Sequence, residues 1–526
     1  MEMELQQQQQ QQCPSLDQMA VFSPGTSEPP TSLHWFRLDA LRLHDNPAFT
    51  KAVSYGMRFR AVFIIDPWFN GNYSGGPSVN VWRFLLESLH DLDFQLQKVP
   101  FNTRLNVVVG HPLLLLPQIF QKWNVKALTF QASQTSYESM HHDSIVKMIG
   151  KDHQVDVNPF FSNTLYHPME VISANDGQVP ITYKHFRQVI QRIGKPQEPL
   201  HLPATSSILN TLPPSGEIEP PLGSIPTLQE LGFDASKALY TNSWAGGETE
   251  ALCRLFRYGM SRIESMHDPT RWLLSKDALS PYLRFGCLSA RQVFSQLQQF
   301  ASVSTRGQQL FKQTAKNLLL RDFAYLVGST TPKFDVMEGN HLCIQLPWDT
   351  NQEFLSSWQE GRTGYPWIDA IVRQCRKDGW AHFMARQSIA VFLTRGYLWI
   401  SWVLGKDFFH KYMLDFELPV STVCWMQSSC SGFFCNQVES FDPCLIGKKM
   451  DMNGMFIKSY VPELAKYPSE YIHYPWKAPH YVQQQAGCII GTDYPKPIVD
   501  VCEQGQLCCK RIQSIMSSLH KVFNES

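Results

Sequence analysis

What this chain lacks narrows its class before any motif is considered. It has no surplus of one charge: its 526 residues carry 46 Lys and Arg against 46 Asp and Glu, for a formal net charge of zero. A balanced chain exerts no whole-molecule pull on polyanions, so nucleic-acid binding would need a local basic patch and is expected to be absent or weak. No apolar run approaches the roughly 18 to 20 uncharged residues of a membrane span, so the protein is expected to be soluble. Its 13 cysteines are odd in number and scattered, with no CxxC pair, and the N-terminus lacks a basic-then-apolar signal pattern. That usage predicts a reduced, intracellular protein. No internal repeat is found.

What is present is enough to bury a large core, with 43% hydrophobic and 17% charged residues. The 14 Trp, 18 Tyr and 33 Phe exceed what packing alone demands, although large cores use many aromatics. Residues 1–31 combine a glutamine tract with Ser, Pro and Gly and are expected to be disordered. From there to residue 165, short apolar runs ("LHWF", "FRAVFIID", "LNVVVG", "VKALTF") alternate with amphipathic stretches. One of these, "VWRFLLESLHDLDFQLQ", puts Val81, Phe84, Leu85, Ser88, Leu89, Leu92 and Leu96 on one helical face. Buried strands separated by helices predict a parallel, Rossmann-like α/β domain over 32–165. Residues 166–235, rich in Pro and Ser, read as an interdomain linker. Residues 236–520 show long helical patterns and read as a larger all-α domain, followed by a short tail over 521–526.

Several stretches carry chemistry. In "RLHDNPAF", Asn46 and Pro47 mark a capped helix start. "WAGGETEAL" sets Gly246 and Gly247 ahead of a helix, where backbone donors can cradle phosphate, although such a pair is more often only a turn. "ALSPYLRFG" offers Ser280 and Pro281 as a second capped start with Arg284 one turn on. Arg386, in the apolar helix around "DGWAHFMARQ", needs a carboxylate partner, and Asp415 in "MLDFELPVSTVCWMQ" is the natural one. "YLWISW" spaces Trp399 and Trp402 three apart, as on one helical face. Each of these tryptophans alone is core packing; a row leading away from a redox cofactor would be an electron path.

Taken together and in order, "HWFRLDALRLHDNP", "GGETEAL", "LSPYLRFGCLS", "MEGNHLCIQLPWD", "EGRTGYPWIDAI", "FLTRGYLWISW" and "DYPKPIVD" resemble the photolyase/cryptochrome family, its animal cryptochrome branch most closely, over roughly residues 32 to 520. The resemblance implies a photolyase-like architecture whose helical domain binds FAD. It leaves open whether an antenna pigment occupies the first domain. Carried over position by position, Ser280 matches a residue at the flavin's phosphate side, and Arg386 with Asp415 matches the ion pair beside the ring. Asn317, Glu417 and Ser421 fall at further flavin contacts. Trp425, Trp402 and Trp348 match the proximal, middle and distal members of an electron-transfer chain, with Trp399 as a fourth.

The departures from the family pattern bear on function. Asn317 stands where Gln is usual, Phe383 where His is usual, Glu417 for a second Asp, and Ser421 for Asn or Cys. Pro419 removes a backbone donor in or near a helix. Leu320 replaces the lesion-stacking Trp, and Phe383 with Gln387 replaces a His pair used in repair, so no catalytic role is expected. Ser440 and Asp442 replace a Cys pair of a shared zinc site; Cys435 and Cys444 lie nearby without a zinc spacing, so no metal is expected.

The resemblance implies a blue-light photoreceptor, a circadian transcriptional repressor or both. Clock transcription regulators would be its partners and nucleus and cytoplasm its location, and with so short a tail, signalling would use the core surface or the final helix. DNA photolyase, and a light-independent repressor that has lost firm FAD binding, are the alternative readings.

Overall fold

A computed structural model describes residues 28–66, 76–133, 137–202, 221–233, 244–264, 269–432 and 442–525. Most of the expected disordered tail, together with Cys435 and Ser440, lies outside the described residues.

Five strands form one sheet: β1 (Thr31–Phe36), β2 (Arg58–Ile65), β3 (Leu105–Val109), β4 (Val125–Gln131) and β5 (Asp156–Phe160). Their order is β3-β2-β1-β4-β5, and every adjacent pair is parallel. The central strand is buried along its whole length, as a parallel sheet covered on both faces requires. Its alternating side chains feed two cores. Leu33 and Trp35 join Val62, Ile64, Leu116 and Phe130 on one face, whereas Phe36 packs with Phe49, Phe63 and Phe84 on the other.

The covering helices are α1 (Pro47–Ser54), α2 (Val79–Leu96), α3 (Pro112–Lys122) and α4 (Tyr137–Asp152). Asn46 caps α1, its side chain accepting from Phe49 N at 3.0 Å. Every residue assigned from the sequence to the inner face of α2 is buried. The four expected strands are present; β5 was not foreseen, because "DVNPF" is half-buried, polar and contains a proline, as an edge strand tolerates.

The expected linker is not structureless. Helices α5 (Pro168–Ser173) and α6 (Tyr183–Ile193) lie within 166–235. They are held by burial of Val171, Phe186, Val189 and Ile190 and by the Thr182 cap on α6. Short amphipathic helices in a proline-rich stretch leave too few turns for periodicity to register.

The second domain comprises α7 (Glu248–Glu264), α8 (Pro269–Leu274), α9 (Ser280–Arg284), α10 (Ala290–Val303), α11 (Thr305–Thr330), α12 (Gln352–Glu360), α13 (Pro366–Asp378), α14 (Phe383–Val391), α15 (Trp402–Tyr412), α16 (Leu418–Ser428), α17 (Pro443–Met450), α18 (Met455–Tyr460), α19 (His480–Ala486) and α20 (Val501–Glu525). Helix α20 continues through residues 521–525, where a tail was expected. Among the described residues no helix is long and apolar enough to cross a membrane.

The domains share one core, since the cluster on the Phe36 side of the sheet runs on into the helices. Charged groups fasten the seam. The Glu248 carboxylate accepts the N–H groups of Leu43 and His44, Arg291 pairs with Asp45 at 2.7 Å, and one oxygen of Asp322 accepts from Leu165 N and Tyr166 N at 3.0 and 3.1 Å.

Candidate flavin site and tryptophan path

The segment 413–428 organises the site, and it divides its two acids. Asp415 Oδ2 receives Arg386 at 2.7 Å and the Ser280 hydroxyl at 2.6 Å, while Ser280 Oγ in turn accepts from Trp380 Nε1 at 3.2 Å. The expected Arg386/Asp415 pair is therefore formed, with the Asp415 side chain 4% exposed. Its second oxygen, Oδ1, is buried and has no protein partner. A buried orphan acceptor costs about 1–3 kcal/mol unless a donor reaches it, so this carboxylate is built for a ligand bearing N–H or O–H groups.

Glu417 does something else. The sequence reading places it against flavin, but it turns to Arg321 of α11, which donates through Nε at 2.7 and 3.0 Å to the two carboxylate oxygens. Arg321 also bonds the Asn163 carbonyl and lies over the Tyr325 ring at 4.7 Å. Burial pulls the Arg321 pKa down, but the Glu417 charge, Tyr325, the hydrogen bonds to Glu417, and Asp322 together outweigh it and the net shift is upward. Spacing separates the two acids. At the extended turn into α16, residues two apart need not share a neighbour, and Arg321 is the nearer unsatisfied cation. Applying to "LLLRDFAY" the argument used for Arg386, a lone cation in an apolar helix, would have found it.

Two more expectations are corrected by helix ends. The N-terminus of α7 is no free phosphate cradle: Gly246 N donates to Glu87, Gly247 N to Ser88 Oγ, and Thr249 N to Asp91, so α2 already occupies it. Ser280 does not cap α9; Leu279 holds the N-cap position, and the Ser280 hydroxyl is spent on Asp415. Pro419, in contrast, sits in the first turn of α16, where the missing N–H has no intrahelical acceptor to lose.

Helices α11 and α14 both pack against α16, the helix that follows Asp415. Leu320 and Phe383 are exposed at 38% and 60%, unusual for apolar residues next to a core, and Asn317 and Gln387 are exposed with them. Ser421 is half-buried on α16. Cys424, which the sequence reading did not single out, is open to solvent, yet enough protein surrounds its sulphur for burial to raise the thiol pKa, with Arg386 opposing and Asp415 adding to the rise. Accessibility combined with dense surroundings marks a concave surface. Asn317 is exposed on α11, and Ser280, Arg386 and Asp415 are the three expected contacts seen to converge.

A separate cavity of about 150 Å³ is lined by Arg284, Tyr325, Lys406, His410, Phe416 and Glu417. That suits a benzene-sized molecule or a few waters, below the roughly 300–1,000 Å³ typical of ligand pockets. Burial, then Arg284 and Lys406, hold His410 neutral by lowering its pKa to about 4. Among the described residues there is no cluster suited to a metal ion.

Trp425 is 1% exposed and lies edge-on to Phe409 at 5.0 Å and to Trp358 at 6.3 Å. Trp402 is fully buried at the start of α15. Trp399 and Trp348 pack with tilted rings at 5.1 Å under α20, where Arg511 lies over Trp399 at 5.4 Å and pairs with Asp349 at 2.7 Å. The expected common helical face of Trp399 and Trp402 is not found. Trp399 precedes the helix with φ of +52°, a left-handed conformation in which its indole N–H reaches the Pro347 carbonyl at 2.8 Å.

A parallel α/β domain joined to a helical domain, with a buried ion pair that leaves one carboxylate oxygen without a protein partner, is the architecture of a two-domain flavoprotein. The FAD-binding domain model of DNA photolyase matches residues 314–514, and the DNA photolyase model matches residues 32–204. Cryptochrome-1 of Rattus norvegicus is 40% identical over 511 residues, covering 93% of this chain and 83% of its own. Cryptochrome-2 of Gallus gallus is 40% identical over 496 residues, at 93% and 84% coverage. A Synechocystis cryptochrome structure superposes with a TM-score of 0.80 at 26% identity, covering 92% of this chain and all of that one. The chain belongs to the photolyase/cryptochrome family, within its animal cryptochrome branch.

Proposed function

We propose that this cryptochrome-type flavoprotein is a regulatory photosensor: blue light drives electrons inward along Trp348, Trp402 and Trp425, with Trp399 as a fourth member, and the altered state is read by protein partners that control circadian transcription. Bound FAD supplies the light absorption and the one-electron acceptor. Arg386 and Asp415 would hold the ring edge, with Asp415 Oδ1 offering an acceptor to a ring N–H, and the Ser280 hydroxyl steadies the Asp415 carboxylate. The buried Trp425 indole passes charge without passing a proton, because its N–H has no hydrogen-bonded base among the described residues. The observation that carries the reading is the placement of Trp425, fully packed on the helix that follows Asp415, with an indole pair at the far end of the path.

Repair chemistry is disfavoured by residues on α11 and α14. Leu320 and Phe383 offer it no stacking indole and no imidazole acid. One observation favours a second reading, light-independent repression: Glu417 and Asn317, two inferred flavin contacts, are turned elsewhere. The test is the absorption spectrum of the purified protein under blue light. A flavin spectrum that bleaches, and no longer bleaches after Trp425→Phe, is the expected result; a colourless protein that represses clock activators in darkness would establish the second reading. Partners among clock regulators and residence in nucleus and cytoplasm belong to this proposal, and co-precipitation and fluorescent tagging test them.

A further inference from the structure

Helix α15 contains a glycine in its interior, which costs about 1 kcal/mol of helix stability relative to alanine. Gly405 is buried, and what it faces is Trp425: a Cβ built on it would overlap Cη2 and Cζ3 of the indole and come within 2.8 Å of Cζ2. The six-membered ring therefore rests directly on the α15 backbone. Phe409, one turn further along the same helix, closes one side of the ring, and Trp358 of α12 closes the other. Trp402 is the first residue of that helix, three positions before Gly405, where side chains share a face. One rigid element thus carries the middle tryptophan and forms the seat of the proximal one.

We infer that Gly405 is a positioning residue for electron transfer, holding Trp425 at a fixed separation from Trp402 by letting its ring rest on the α15 backbone. The inference rests on the electron-path reading above. The step it governs is a single-electron transfer: Trp402 gives one electron to a Trp425 already oxidised by a flavin excited with blue light. No bond forms or breaks. The transfer moves no proton onto Trp425, whose indole N–H has no hydrogen-bonded base among the described residues. Any side chain at position 405 pushes the Trp425 ring away from the helix that carries its donor, and the transfer slows.

Flash photolysis of the flavin-loaded protein, following tryptophan oxidation, tests this with Gly405→Ala beside Trp402→Phe. Gly405→Ala is expected to keep its flavin content in darkness and to slow the Trp402-to-Trp425 step measurably below the parental rate, because electron transfer weakens with separation. If Trp402→Phe leaves the kinetics of the parent unchanged, the electron path itself is wrong and the role of Gly405 falls with it. If Trp402→Phe abolishes the step but Gly405→Ala runs at the parental rate, the inference about Gly405 alone is overturned.

A second arm uses flavin-free protein and a double-mutant cycle of thermal stability. Gly405→Ala should lower Tm in the parent and not in a Trp425→Ala background, a result readable even if the single variant is too unstable to load flavin. Equal losses in both backgrounds would show that the ring does not rest on Gly405.

Discussion

At the scale of single residues, the molecule is arranged around charges that have been taken out of water. Arg321 and Glu417 are 9% and 6% exposed, so neither tolerates loss of the other. Arg321→Ala should destabilise by about 3–5 kcal/mol, because it leaves Glu417 buried and unpaired, and a urea titration measures it directly. Replacing both with leucine and methionine should cost far less, since the pair itself is near break-even.

Asp322 is the opposite case, a buried carboxyl without a salt-bridge partner of its own. Burial raises its pKa to about 7, with the Tyr166 N–H, the Arg321 charge and the Leu165 N–H opposing the rise. The folded state therefore binds the proton more tightly than the unfolded one. The stability this contributes is fully present below the unfolded value near 4 and is lost as pH rises toward 7, by up to about 4 kcal/mol. Asp322→Asn should flatten the dependence of the urea midpoint between pH 4 and pH 7; an unchanged slope would assign the effect to another group.

At the scale of elements, helix ends and close approaches decide what the site can do. The N-terminus of α7, which glycine spacing offers as a phosphate cradle, is filled by acids of α2, whereas the proline that threatens α16 falls where a helix tolerates it. Helix α11 meets α16 at Gly328, where a Cβ would come within 2.7 Å of Pro419 and 3.2 Å of Phe334. Gly328→Ala should cost about 1–3 kcal/mol by overpacking, and because α11 also carries Arg321 it should loosen the Arg321/Glu417 pair. A lowered Tm is the measurement, with an unchanged Tm showing that the helices separate freely. These outcomes could not be anticipated from the chain, because a glycine, a cap and a turn look alike until the opposing element is known.

At the scale of the whole molecule, the two domains behave as one body because the seam is made of buried groups. The Asp45 side chain is fully buried and Arg291 is 8% exposed, and the Glu248 carboxylate closes the backbone beside them. The parent protein should unfold in one transition, coincident by circular dichroism and by tryptophan fluorescence. Arg291→Ala, which strands Asp45, should lower stability by about 3–5 kcal/mol and separate the two signals. Coincident transitions in the variant would mean that the apolar part of the seam suffices.

By itself the sequence determined the parallel sheet, the succession of an α/β and a helical domain, the inner face of α2, the pairing of Arg386 with Asp415 and the family. Each is written in local periodicity, in a lone charge that must find its counter-ion, or in motifs kept in order. Only the tertiary structure decided where Glu417 turns, which helix starts are already filled, that Trp399 stands outside the helix carrying Trp402, and that Trp425 rests on Gly405. The reason is the same each time: these outcomes depend on which unsatisfied group or empty surface lies nearest in space, and residues 158 or 96 positions apart, such as Asp91 with Thr249 or Arg321 with Glu417, leave no periodic trace of that proximity in the chain.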